Sequence, residues 1–212
     1  MRIIDMESWS RRKHFELYSA LDYPYFALCA DVDLTVFHPY VKRRGHSMTV
    51  AITYALARAS NAIPEFRCRI RGEEVVEHEV VHPSITVLTD EDLFTFCTIT
   101  YAEHFLEFAE RAAARIAYVR EHPTLEDEPG HDNLLFMTAI PWVSFTSVVH
   151  PVPLEPPDSV PRLAWGKFFE DGEGLKMGLG VQAHHGVVDG LHVGRFYERV
   201  QDCFHHPEST LG

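Results

Sequence analysis

The chain has 212 residues, of which 46% are hydrophobic and 24% charged, a composition typical of a globular protein that buries a substantial core. Its formal net charge of −12 disfavours non-specific binding to nucleic acid, and no apolar run approaches the ~20 residues that cross a bilayer. Residues 1–5 do not resemble a signal peptide, so we expect a cytoplasmic protein of one domain, residues 1–212, without nucleic-acid or membrane partners.

Strands and helices are intermixed in the first half of the predicted structure. In chain order we predict a short helix after Asp5 that carries Trp9, Phe15 and Leu17, a strand over 25–34, a helix capped by Ser47 that runs to about Ala62, and a hairpin of residues 66–70 and 75–80. Strands over 84–89 and 93–101 follow. Because the strands come mostly in hairpin-like pairs, an α+β fold is indicated.

The second half continues this pattern. The predicted elements are an amphipathic helix over 103–120, strands over 134–140, 143–149, 163–170 and 175–184, and a closing helix from 189 to about 204. Stretches 121–132 and 151–161 resemble linkers, and five prolines exclude a regular helix from the second. Both are short enough to be loops, so we expect one large mixed β-sheet with helices packed on it.

A histidine pair and an aspartate stand close together near the end of the chain. The run from His184 to Gly190 reads HHGVVDG and falls at a predicted strand-to-helix turn. An imidazole can exchange protons near neutral pH, and the carboxylate of Asp189 could orient it or anchor its turn. Alternation along a strand sends His184 and His185 to opposite faces, so only one can enter a given cleft. The spacing alone is a weak signal.

Other segments strengthen this interpretation. They read WSRRKHFE at 9–16, NAIPEFR at 61–67, HPSITV at 82–87, PWVSFTS at 141–147 and VQAHHGVVDGLHVGRF at 181–196. Together they resemble the trimeric, non-hexapeptide chloramphenicol acetyltransferases along nearly the whole chain. The resemblance implies a two-layer fold of sheet and helices, an acetyl-CoA-dependent O-acetyltransferase linked to antibiotic resistance, and a homotrimer with its active sites between subunits.

The resemblance also assigns catalytic roles. It makes His185 the general base that takes a proton from the acceptor hydroxyl, and His184 a supporting residue. In the family the aspartate pairs with an arginine of the N-terminal segment, here Arg11, and the pair holds the turn that carries the base. Ser147 is expected to donate a hydrogen bond to the oxyanion of a neighbouring subunit's site.

Binding residues follow from the resemblance less directly. Tyr25, Phe26 and Leu28 match positions of the acceptor pocket but could equally be strand core. Lys167 matches a lysine near the cofactor. The basic cluster at 42–44 could bind a phosphate or lie in a solvated loop.

Two departures from the family pattern bear on the acceptor. Ala164 stands where the family usually has a threonine, and the loop at 151–157 is rich in proline. These departures keep open a different small alcohol or an amine as acceptor, or a non-catalytic protein that binds acyl-CoA or a hydrophobic ligand.

A metal-dependent hydrolase is the remaining alternative. The four cysteines form no Cys-x-x-Cys pair. His78 and His82 have a zinc-like spacing, but on a strand four residues span about 13 Å, and zinc holds its ligands at about 2 Å. We therefore expect no metal.

Overall fold

The computed structural model describes residues 1–126, 130–172 and 174–212, so residues 127–129 of the predicted loop at 121–132 lie outside the described part. The strands are β1 Arg2–Ile3, β2 Tyr25–Asp33, β3 Cys68–Arg71, β4 Glu74–Glu77, β5 His82–Leu88, β6 Phe94–Thr98, β7 Leu134–Ile140, β8 Arg162–Gly166, β9 Phe169–Glu170 and β10 Leu175–His184. The helices are α1 Arg12–Ser19, α2 Phe37–Arg44, α3 Met48–Asn61, α4 Phe105–Glu121, α5 Gly190–His205 and α6 Pro207–Leu211, with a 3₁₀ turn over Pro64–Arg67.

The strands form two sheets. The larger has the order β2-β10-β8-β7-β5-β6, and β9 pairs with β10. Pairs β5–β7 and β7–β8 are parallel, whereas β2, β9, β10 and β6 pair antiparallel with their neighbours. The smaller sheet has the order β1-β4-β3. The predicted α+β class, a large mixed sheet with helices, is confirmed.

The main helices form where the sequence predicted them. Ser47 caps α3, since its hydroxyl accepts the backbone N–H of Val50. Every residue from Val50 to Ala57 is buried, because α3 packs against both α4 and α5 as well as strands. Tyr54 lies at the centre of an aromatic cluster with Phe105 and Phe108 of α4.

The strand predicted over 143–149 is wrong. That segment crosses one face of the large sheet instead of joining its edge, because glycines leave room for it. A Cβ on Gly178 would lie 2.6 Å from the carbonyl oxygen of Phe145, and one on Gly180 would lie 2.4 Å from Cγ1 of Val148. Glycine therefore sets how closely the segment packs on β10.

Smaller differences concern element ends. The first helix begins at Arg12 rather than directly after Asp5, and Trp9 precedes it while packing on Phe15. The strand predicted over 163–170 is interrupted, so that it forms β8 and β9. The basic cluster at 42–44 is the last turn of α2 and not a loop, and Gly45 ends that helix in the left-handed conformation at φ 70°.

Candidate active site

The turn between β10 and α5 carries the histidine pair. β10 ends at His184, and the backbone N–H of His185 donates to the carbonyl of Pro24 over 2.7 Å. The carbonyl of His184 accepts the N–H groups of Val187 and Val188, whose side chains are buried. The turn is thus anchored on both sides before α5 begins.

The ring of His185 lies between two aromatic rings. It stacks on Tyr18 of α1 with centroids 3.9 Å apart and planes 5° from parallel, and its centroid is 4.6 Å from that of Phe26. The residue is half-buried, and Nδ1 is buried without a hydrogen-bond partner among the residues that the structure describes. Tyr18 was not found from the sequence, because nothing in the local pattern links it to position 185.

The ring of His184 points to the other side of the sheet and is fully packed. Its Nδ1 accepts the N–H of Gly186 over 3.1 Å, and its ring meets Tyr25 edge-on with centroids 5.2 Å apart. Burial, helped by the neighbouring His185, lowers the pKa of His184 to about 4, although Asp158 acts in the opposite direction. His184 is therefore neutral near pH 7.

Arg11 and Asp189 form an ion pair beside the turn. Nη1 of Arg11 donates to Oδ2 of Asp189 over 2.5 Å, and Nη2 lies 3.4 Å from the carbonyl oxygen of His185. Burial opposes ionisation of Asp189, but the hydrogen bond from Arg11, the electrostatic effects of His192 and Arg11 and the hydrogen bond from Leu191 outweigh it, so the pKa of the carboxyl is lowered. The same carboxylate caps α5 through the N–H of Leu191.

The three predicted acceptor-pocket residues lie in different surroundings. Phe26 is next to the His185 ring. Tyr25 is buried on the His184 side, its hydroxyl donates to the carbonyl of Pro153, and burial raises its pKa to about 12. Leu28 is exposed on β2.

Ser147 and Lys167 lie away from this turn. Both are exposed, and no hydrogen bond or ring contact within the described part of the chain joins Ser147 to His185. Ser147 belongs to the segment that crosses the sheet, and the N–H of Lys167 donates to the carbonyl of Val143 at the start of that segment.

A cavity of about 1360 Å³ opens elsewhere in the chain, and none of its lining residues belongs to the His185 turn. Its walls combine aromatic side chains with hydroxyls, among them Phe96, Thr86, Thr138 and Trp142. The hydroxyls of Thr86 and Thr138 are 2.8 Å apart. Ala164 is buried and pairs with Thr138 in the sheet register.

No arrangement typical of a metal site is present among the described residues. His78 bonds to Asp132 over 2.8 Å, and His82 accepts the N–H of Tyr101, so each has its own partner. All four cysteines are free. Within the same residues, no helix has the length and apolar character needed to cross a membrane.

Sequence comparison gives one consistent family. The family model for chloramphenicol acetyltransferase matches residues 1–201. Chloramphenicol acetyltransferases of Klebsiella sp and Escherichia coli are 32% identical over 199 residues, which cover 93% of this chain and 91% of each relative. The enzyme of Bacillus pumilus is 29% identical over 208 residues, which cover 97% of this chain and 94% of the relative.

Structural comparison agrees. A solved chloramphenicol acetyltransferase matches with a TM-score of 0.84 at 26% identity, covering 95% of this chain and 98% of the other. The cubic core of the pyruvate dehydrogenase multienzyme complex matches with a TM-score of 0.64 at 18% identity, covering 92% and 87%, which is a likeness of fold alone.

Proposed function

The chain belongs to the chloramphenicol acetyltransferase family and is an acyltransferase, and we propose that it transfers the acetyl group of acetyl-CoA to a hydroxyl of chloramphenicol or a related small alcohol. The observation that carries this proposal is the half-buried imidazole of His185, held on an anchored turn inside the segment that most resembles the family.

His185 acts as the general base. Its Nδ1 is buried by the protein, so Nε2 is the nitrogen through which the ring meets the acceptor. Nε2 accepts the hydroxyl proton while the oxygen attacks the thioester carbonyl carbon. When the tetrahedral intermediate collapses, the C–S bond breaks and the imidazolium returns its proton to the CoA sulfur. Transfer is direct, without an acyl-enzyme.

Arg11 and Asp189 keep the base in place. The 2.5 Å ion pair ties the start of α1 to the start of α5, and the second Arg11 nitrogen reaches the His185 carbonyl. Asp189 does not touch the His185 ring in this arrangement, so its role is to hold the turn rather than to polarise the imidazole. This differs from a serine protease triad.

The active sites lie between the subunits of a homotrimer. The cavity and His185 occupy different parts of one chain, so a second copy can bring its imidazole to the cavity of the first. Trp142 lines the cavity and is 69% exposed, as expected of a residue that a neighbouring subunit covers. Ser147, five residues further on, donates its hydroxyl to the oxyanion there.

The remaining predicted residues bind the substrates. Phe26 and Leu28, with Tyr25 supporting them from the opposite face of β2, contact the acceptor. Lys167 and the basic cluster at 42–44 attract the phosphates of CoA, since that cluster directly precedes Gly45 and His46 of the cavity wall.

No metal takes part, and the enzyme works in the cytoplasm, where it confers resistance to the antibiotic.

A second candidate changes only the acceptor. Ala164 offers no hydroxyl, and the loop at 151–157 is rich in proline where the family resemblance implies a more apolar wall of the acceptor pocket, so another small alcohol or an amine is the alternative substrate. The test is release of CoA thiol from acetyl-CoA in the presence of chloramphenicol and of a panel of small alcohols and amines. Turnover with chloramphenicol supports the first candidate, and turnover with another acceptor alone supports the second. CoA binding without turnover on any acceptor overturns both in favour of a binding protein.

A further inference from the structure

His192 connects the turn that carries His185 to a carboxylate on another element. It is the third residue of α5, and its Nδ1 accepts the backbone N–H of Asp189 over 3.1 Å. On the other side of the ring, Nε2 lies 3.4 Å from Oε1 of Glu65, which belongs to the 3₁₀ turn before β3. The residue is only 5% exposed.

These two contacts assign the protons of the ring. Because Nδ1 accepts a hydrogen bond it carries no proton, so the neutral ring holds its proton on Nε2, where it faces the carboxylate of Glu65. A second proton on Nδ1 would face the N–H of Asp189 directly. The capping contact would then be lost, although Nδ1 would remain 3.2 Å from Oδ1 of Asp189.

The charges around the ring oppose one another. Burial acts most strongly and disfavours the imidazolium, and Arg11 and Arg195 add to this effect. Glu65 and Asp189 favour the imidazolium. The balance lowers the pKa of His192, which keeps the acceptor on Nδ1 available near pH 7.

We propose that His192 and Glu65 are positioning residues for the acyl transfer proposed above. Glu65 orients the His192 ring, the ring holds the backbone of Asp189, and Asp189 holds Arg11, which reaches the carbonyl of His185. Neither residue touches a substrate. The inference rests on His185 being the base, and it extends the machinery to two residues outside the turn.

Two variants of position 192 test the proposal. His192→Leu removes the acceptor of the Asp189 N–H, and we expect kcat to fall about 10- to 100-fold while KM for acetyl-CoA stays unchanged, because a small displacement of the base is costly. His192→Gln keeps an acceptor for Asp189 and a donor for Glu65, as in the usual capping box, so kcat stays within about threefold of wild type. His205→Leu, an exposed histidine of the same helix, is the matched control and leaves kcat unchanged.

The pH profile separates positioning from simple support of the fold. Below neutral pH, protonation of His192 removes the acceptor of the Asp189 N–H, so the wild-type kcat should fall with one ionisation more than the kcat of His192→Gln, because glutamine does not titrate. An equally steep acid limb in both enzymes, or wild-type kcat in His192→Leu, would overturn the proposal. Equal losses in the Leu and Gln variants would overturn it as well.

The position of the His185 ring can also be measured without turnover, by NMR, so the positioning role can fail or hold independently of the proposed function. The His185 ring stacks on Tyr18, so its Cε1–H proton resonance is shifted by the tyrosine ring, and His185→Ala identifies the signal. We expect the resonance to move in His192→Leu and to stay in His192→Gln. If the wild type acetylates no acceptor, the proposed function fails. The Cε1–H resonance of His185 still tests whether His192 positions that ring. An unmoved signal in His192→Leu contradicts the positioning role of His192.

Discussion

Arg11 and Asp189 are 178 residues apart in sequence, and their side chains form an ion pair of 2.5 Å beside the His185 turn. The pair is largely removed from solvent, so breaking it leaves one charge poorly compensated. This contact joins the two ends of the chain at the point where the proposed base stands.

Removing Arg11 tests what the pair contributes. We expect Arg11→Met to lower the free energy of unfolding by about 1–3 kcal/mol at pH 7, because a charged hydrogen bond is lost in a half-buried place. Arg12→Met breaks the exposed Arg12–Glu16 pair and should leave the free energy of unfolding close to that of wild type. Urea unfolding of both variants provides the measurement, and equal losses in the two would contradict the account.

The same pair predicts a pH dependence. The pKa of Asp189 is lowered in the folded protein, so its contribution is present above the unfolded pKa of 3.8 and is lost as pH falls through the folded value. The deficit of Arg11→Met relative to wild type should therefore shrink below about pH 4. A deficit that stays constant down to pH 3 would show that Asp189 is not the partner that matters.

Asp189→Asn keeps the shape of the capping residue and removes its charge. We expect activity to fall mainly because the turn moves and His185 is misplaced. A crystal structure of the variant measures this directly. An unmoved turn together with lost activity would assign Asp189 a chemical role instead.

Ser147→Ala should leave the fold and substrate binding intact, since the residue is exposed. Turnover should drop about 10²–10³-fold if the hydroxyl donates to the oxyanion. Ser144→Ala, in the same exposed segment, is the control and should keep wild-type turnover. Steady-state kinetics with acetyl-CoA measure the turnover of both variants. Unchanged turnover in Ser147→Ala would remove this serine from the mechanism.

Gly178→Ala tests how the segment over 143–149 is held. Its new Cβ would lie 2.6 Å from the Phe145 carbonyl oxygen, so the segment must move and stability should fall by about 1–3 kcal/mol. A Cβ on Gly194, in α5, meets no atom within 4 Å, and Gly194→Ala should stabilise the protein by roughly 0.5–1 kcal/mol. Thermal unfolding compares the stability of the two variants with that of wild type. A Gly178→Ala variant as stable as wild type would contradict the close packing of the segment on β10.

The limits of sequence reasoning show in particular residues. Helices α3, α4 and α5 and strand β10 were predictable because their apolar residues follow the period of the element. The run VSFTSVV alternates like a strand, but the glycines that hold it on a sheet face lie some thirty residues away in β10. No local pattern reveals such a partner.

Some residues of the candidate site were predicted from the sequence, and others were not. The motif around His185 pointed to the proposed base and to Asp189, and the family resemblance added Arg11, which pairs with Asp189 in the structure. Tyr18, Glu65 and His192 were missed, although Glu65 and His192 lie within the matched segments at 61–67 and 181–196. Their contacts join elements that meet only in the folded chain. Phe37, Tyr40 and Val41 of α2 have helical spacing and are buried, and this signal could have predicted the helix over the basic cluster.

The central claim is that His185 is the proton acceptor of an acetyl transfer. The most direct measurement is the rate of CoA-thiol release from acetyl-CoA with chloramphenicol, compared between wild type and His185→Ala, with His205→Ala as an exposed control. The account predicts a loss of at least about 10²-fold in kcat for His185→Ala with unchanged KM for acetyl-CoA, and no loss in the control. Wild-type turnover in folded His185→Ala would contradict it.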